Sequence, residues 1–191
     1  MKRINLIWIT GPIASGKDEV CKILRSKGYQ IIDADKIGHK LLEKNKKTLL
    51  KTFGTKILTR NKIDRKKLSE IVFSDKKLLK KLNQIIHPQL ISEIKKIISS
   101  NQHKNIAINA ALYKQLKSAA KKAMVISVIS NKRIRIQRLL KKKSIDKKTI
   151  LSIFKMQDND KTYKKLSDYV IYNNSTIKQL RTRLLMILSK S

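Results

Sequence analysis

Residues 11–17 read Gly-Pro-Ile-Ala-Ser-Gly-Lys, the G-x-x-x-x-G-K part of a phosphate loop. Few short segments restrict a fold so strongly. Glycines let the backbone curl until successive N–H groups point at one anion. The helix that follows adds the positive end of its dipole. Such a loop needs a strand before it and a helix after it. Residues 4–10 (INLIWIT) are a continuous apolar run, as a central strand of a parallel sheet requires. Residues 18–28 (DEVCKILRSKG) place Val20, Ile23 and Leu24 on one helical face, with Gly28 closing it. Residues 29–33 (YQIID) make a second strand. The opening therefore predicts a β-loop-α-β unit, and with it an α/β fold. The bland reading of the loop is a glycine turn at a strand end.

Beyond this unit the periodicity is mostly helical to about Ser100: IGHKLL, KKLSEIVF, KKLLKKLNQII and PQLISEIKKII space apolar residues by three and four. Pro88 is placed in the first turn of the last of these helices, where proline is tolerated. Strands are expected at 106–110, 124–129 and 168–173. Helices are expected around 131–142, 146–157 and 176–188. The whole predicts a P-loop NTPase-type parallel sheet flanked by helices.

The chain is strongly basic, with a formal net charge of +33. Lysine far outnumbers arginine, aromatics are few, and the lysines are spread along the whole length. A sequence-reading nucleic-acid face favours arginine forks and stacking platforms, so no specific nucleic acid is expected. The charge is better suited to drawing in phosphorylated small molecules. No apolar run is long enough to cross a membrane, so no membrane partner is expected. The N-terminal apolar stretch leads straight into the glycine loop and reads as a buried strand rather than a secretion leader. The lone Cys21 forms no intrachain disulfide, which suits a cytoplasmic location.

Three positions carry the chemistry. Lys17 is able to reach β- and γ-phosphates. Asp18 stands where the phosphate-loop pattern has Ser or Thr, whose hydroxyl binds Mg²⁺. A carboxylate is itself a hard-oxygen ligand, so one reading gives Asp18 the metal. The other makes it a helix cap, with the metal held elsewhere. Asp33, in Asp33-Ala34-Asp35, ends the second strand, on the side where ligands of open parallel sheets gather. It is the expected acceptor of the attacking hydroxyl's proton. Its bland reading is a turn residue, with Asp35 as the cap of the next helix.

Together, ITGPIASGKDEV, GYQIIDADKIGHKLL, IDRKKLSEIVFSD, LNQIIHPQLISEI and SDYVIYNNST resemble the dephospho-coenzyme A kinase family over most of the chain. The resemblance implies phosphoryl transfer from ATP to the ribose 3′-hydroxyl of dephospho-CoA, the last step of CoA synthesis. It implies a nucleotide-binding core (1–34, 104–136 and 167–191), a helical substrate-binding insertion (35–103) and a lid (137–166). It implies an ATP-binding loop of Gly11 and residues 14–19 (Ala14, Ser15, Gly16, Lys17, Asp18, Glu19). It makes Asp33 the catalytic base and puts Arg65 and His87 in the substrate part. For His87, tying down a helix start is the equal alternative. Arg138 lies where the lid begins and is expected over the γ-phosphate. Asn173 and Asn174 fall near the adenine. The expected partners are ATP, Mg²⁺ and dephospho-CoA, for a monomer. Departures from the family pattern are Asp18, Ala110-Ala111-Leu112, Lys114 and Lys142. Lysine at 142 keeps a charge but loses arginine's fork. Two other readings stay open: a kinase for a different nucleotide-like acceptor, and a nucleotide-binding protein without transfer activity.

Overall fold

A computed structural model describes residues 5–101, 105–141 and 147–190. Its elements follow in chain order as β1 (Leu6–Thr10), α1 (Lys17–Ser26), β2 (Gln30–Asp33), α2 (Ala34–Lys44) and α3 (Lys46–Phe53). Next come β3 (Leu58–Thr59), β4 (Lys62–Ile63), α4 (Arg65–Ser74), α5 (Lys76–Ser99) and β5 (Ile106–Asn109). The chain ends with α6 (Tyr113–Leu116), β6 (Met124–Ile129), α7 (Lys132–Lys141), α8 (Lys147–Met156), α9 (Asp160–Lys165), β7 (Tyr169–Tyr172) and α10 (Ile177–Leu188).

The main sheet has the order β2-β5-β1-β6-β7, and every pair in it is parallel. β1 is central and buried because its residues pack on both faces. Alternate side chains serve opposite layers. Trp8, with Ile106 and Ile108 of β5, joins Ile86, Leu90 and Ile94 of α5 on one face. Ile7 and Ile9 join Val20 and Leu24 of α1 and Leu180 and Leu184 of α10 on the other. Each such fully buried aliphatic side chain contributes about 1.5–3 kcal/mol relative to exposure. A separate cluster of Leu49, Phe53, Ile57, Ile63, Leu68 and Val72 holds α3, α4 and the β3–β4 hairpin together.

Two features differ from the sequence reading. Pro88 does not begin a helix; it lies inside the 24-residue α5. A proline there removes the donor for the Gln84 carbonyl and crowds it. The stripe Ile86, Leu90 and Ile94 nevertheless runs across it at a spacing of four, buried against the sheet. That packing keeps one helix where propensity predicts two. The β3–β4 hairpin escaped the periodicity. Its turn residues Arg60 and Asn61 have φ of 48° and 61°, the left-handed pair that a two-residue hairpin uses, but no glycine marks it. Helices α3, α6 and α9 are further short elements without a clear pattern in the sequence.

Candidate active site

The site grows from the end of β1. Gly11 has φ 138° and sits so close to β6 that a Cβ would lie 2.1 Å from the Val128 carbonyl oxygen. Ala14 takes φ 58°, and Gly16 caps α1 with φ 107°. These angles curl the loop. A Cβ on Gly16 would lie 2.0 Å from Asn173 Nδ2. The chain thus uses glycine where the loop touches its neighbours and where its backbone turns left-handed.

The outer side of the loop is gripped. Arg138 Nη1 donates to the carbonyls of Ala14 (3.1 Å) and Ser15 (3.2 Å), and its Nη2 donates to the Asn173 carbonyl (3.1 Å). Asn173 Nδ2 donates to Ser15 O at 2.8 Å. Asn174 Oδ1 accepts from Asn131 N at 2.8 Å. Arg138 therefore lines neither of the cavities described below. In this structure it clamps the loop through those carbonyls, which lie within its reach. Lys142, the altered lid position, lies outside the described residues.

Lys17 Nζ donates to Gly11 O (3.0 Å) and Pro12 O (3.1 Å). Burial pushes its pKa below the usual lysine value; Asp35 first, and then Asp18, oppose that shift. Burial pushes the Asp35 carboxyl up, against the pull of Lys17. Asp18 Oδ1 accepts from Asn109 Nδ2 at 2.9 Å, at the end of β5. Lys17, Asp18, Asp35 and Asn109 line a cavity of about 1000 Å³. A second cavity of about 520 Å³ shares Lys17 and Asp35 and runs along an apolar wall that includes Leu68, Leu82 and Leu90.

Asp33 does not join this cluster. Its carboxylate caps α2, accepting from Lys36 N at 3.0 Å, and it lines neither cavity. The cap that one reading gave to Asp35 is made by Asp33. The N–H groups that open α2 need an acceptor one residue before the helix, and Asp33 occupies that position. At the second position of α2, Asp35 faces the cavity instead.

Glu19 points away from the cavity and pairs with Lys22 at 2.8 Å. Ser15 Oγ is buried with no hydrogen-bond partner among the described residues. Arg65 lines both cavities, and His87 lines the second, from the interior of α5 rather than from a helix start. Burial lowers the His87 pKa.

Besides Asn109, two residues went unnoticed in the sequence. His39 lies one turn after Asp35 on α2 and meets Arg65 Nη1 at 2.9 Å through Nδ1. Gln157 Oε1 accepts from the loop amide of Ile13 at 2.9 Å. His39 was reachable through the i, i+4 spacing from Asp35, since such positions share a helix face. Gln157 was not, because 144 residues separate it from its partner.

Residues 5–179 match the family model described as dephospho-CoA kinase. The chain belongs to the dephospho-CoA kinase family. The dephospho-CoA kinase of Fusobacterium nucleatum is 38% identical over 180 residues, covering 93% of each chain. The solved structure of the dephospho-CoA kinase from Campylobacter jejuni aligns over 97% of this chain and 96% of that one, with 26% identity and a TM-score of 0.61. A Thermus thermophilus crystal structure, covering 99% of this chain and 98% of its own, has a TM-score of 0.83 at 24% identity, a likeness of fold. A member of the dephospho-CoA kinase family is a phosphotransferase with ATP as its co-substrate. No helix among the described residues is long and apolar enough to cross a membrane.

Proposed function

We propose that this chain transfers the γ-phosphoryl of ATP to the ribose 3′-hydroxyl of dephospho-CoA, giving CoA and ADP. The observation that carries the mechanism is that Lys17, Asp18 and Asp35 converge on one cavity, which continues into a second, partly apolar one. The loop amides cradle the phosphates of ATP. Lys17, no longer held by Gly11 O and Pro12 O, moves onto the β- and γ-oxygens and offsets their charge.

Asp35 takes the part that the sequence reading gave to Asp33. It accepts the proton as the acceptor oxygen bonds to the γ-phosphorus and the bond to the ADP oxygen breaks. The upward shift of its carboxyl toward the working pH suits a general base. Arg65, held by His39, faces the acceptor cavity as a cation for the acceptor's own phosphates. The apolar wall beyond suits the acceptor's less polar portion.

Asp18, steadied by Asn109, fits Mg²⁺ as a hard-oxygen donor within the first cavity. No cluster of three or more metal-binding side chains occurs among the described residues. Magnesium in kinases is held by one or two carboxylates and the substrate's phosphates, so this donor set is adequate. When bound, the ion neutralises charge that develops on the transferring phosphoryl group. The helical insertion of 35–103 and the lid of 137–166 are the parts that would close over the two substrates.

Incubation with Mg·ATP and dephospho-CoA, followed by mass detection of CoA, tests the reading. Asp35→Asn is expected to lower kcat by about 10²–10⁴-fold, and Asp33→Asn to leave it near the unmodified value. CoA formation at equal rates by Asp35→Asn and the unmodified chain would discard the base assignment. ATP binding without CoA formation by the unmodified chain would favour a non-transferring homologue.

A further inference from the structure

We infer that Gln157 belongs to the reaction centre, where its amide donates a hydrogen bond to the phosphoryl group that ATP gives up. The inference rests on the phosphate-loop kinase reading and goes beyond the residues named there.

Gln157 follows the last residue of α8 and is partly buried. Its Oε1 accepts from Ile13 N–H at 2.9 Å. The assignment of oxygen to that side is forced, because a backbone N–H meets an acceptor there and not an –NH₂ group. Ile13 is a phosphate-loop residue, between Gly11 and Gly16. With the oxygen committed to the loop, what the amide has left to offer is donors. Ile13, Lys17, Asp35 and Gln157 all line the same cavity of about 520 Å³. The loop thus fixes the amide at one end, and the other end has the polarity that suits a phosphate oxygen. A donor held in place before the charge develops is the arrangement that stabilises a transferring phosphoryl group.

The geometry also fits a duller role. Gln157 would then be only a strap, tying the segment after α8 to the loop. Gln157→Glu separates the two. Glutamate keeps an oxygen for Ile13 N–H, so a strap survives. It replaces the donors with negative charge, so a phosphoryl contact becomes a repulsion. Asp158 lines the same cavity, so the added charge is not offset by that neighbour.

The experiment measures equilibrium affinity for ATP and for ADP, together with steady-state turnover, for the unmodified chain, Gln157→Glu and Gln157→Ala. Thermal melting identifies any variant that does not fold, and the alanine variant then carries the test. Loss of a γ-phosphoryl contact lowers the ATP-to-ADP affinity ratio by about tenfold or more in Gln157→Glu, and by a smaller factor in Gln157→Ala. ADP affinity stays within about twofold of the unmodified chain. In the same variants kcat falls by about 10²–10³-fold while the acceptor KM stays nearly constant. An unchanged ATP-to-ADP ratio would overturn the inference and leave a strap. An unmodified chain that binds neither nucleotide would overturn the phosphate-loop reading and this inference with it. An unmodified chain that binds ATP but makes no CoA would overturn the acceptor assignment alone, since the affinity ratio still reads Gln157.

Discussion

His39 and Arg65 show how a single contact sets a pH response. Burial, followed by the guanidinium of Arg65, holds His39 below the usual histidine value, with Asp35 and Asp33 opposing. At neutral pH the ring is therefore uncharged and available as an acceptor for Arg65. The unfolded chain takes up this proton at higher pH than the folded one. The stabilisation is thus complete above the ordinary histidine range and is lost as pH falls through it. Protonation also sets two cations against each other at the acceptor cavity. As pH falls below the ordinary histidine range the KM for dephospho-CoA is expected to rise, and His39→Gln, which keeps an acceptor, should flatten that limb. Initial rates across pH with saturating ATP check this, and a limb that persists in His39→Gln would discard it. Gly16 makes the steric counterpart. Gly16→Ala forces a Cβ to within 2.0 Å of Asn173 Nδ2 in a left-handed backbone. The strain is about 1–3 kcal/mol before the clash is relieved, and ATP affinity should fall by at least tenfold in a titration. Of these residues the glycine was evident in the sequence, because the motif demands it. His39 lacked a motif of its own, since its partner comes from a different helix.

At the scale of elements, α2 begins on a side chain that looked catalytic. Asp33 accepts from Lys36 N, so its carboxylate is occupied in holding the helix that presents Asp35 and His39. Asp33→Ala should cost about 1 kcal/mol of stability, and Asp33→Asn, itself a good cap, much less. Chemical denaturation of the two variants distinguishes this cap from a catalytic carboxylate: a catalytic Asp33 would make the asparagine variant stable but inactive. Helix α5 teaches the opposite lesson about local signals. Pro88 marks a boundary by propensity, yet the sheet holds the helix continuous across it. The β1-loop-α1-β2 unit was legible in full, because its apolar periods and glycines agree. The β3–β4 hairpin was not, because Arg60 and Asn61 adopt a turn that glycine would have announced.

For the molecule as a whole, the charge of +33 is spread over the chain and opposes compaction. Moderate salt screens this repulsion, so raising NaCl toward about 0.3 M should raise Tm, up to the point where ion-paired contacts are weakened as well. A Tm that falls steadily with salt would mean that specific ion pairs outweigh the repulsion. ATP binds the folded chain alone, so it should add about 2.7 kcal/mol of apparent stability at a hundredfold excess over Kd. Differential scanning fluorimetry reads both effects. The five parallel strands bring the ends of β1, β2 and β5 to one edge, and the helices beyond β2 wall the acceptor side. The site is therefore a product of the strand order as much as of any motif.

By itself, the sequence determined the phosphate loop, the β1-loop-α1-β2 unit with its buried first strand, and the family. The loop and that unit depend on contacts within about thirty residues, where apolar period and glycine placement speak directly. Only the tertiary structure decided which aspartate faces Lys17, what Arg138 grips and what Gln157 touches. Those outcomes depend on strand order and on where a helix begins. A shift of two residues at the start of a helix turns a carboxylate from its cap into a wall of the cavity.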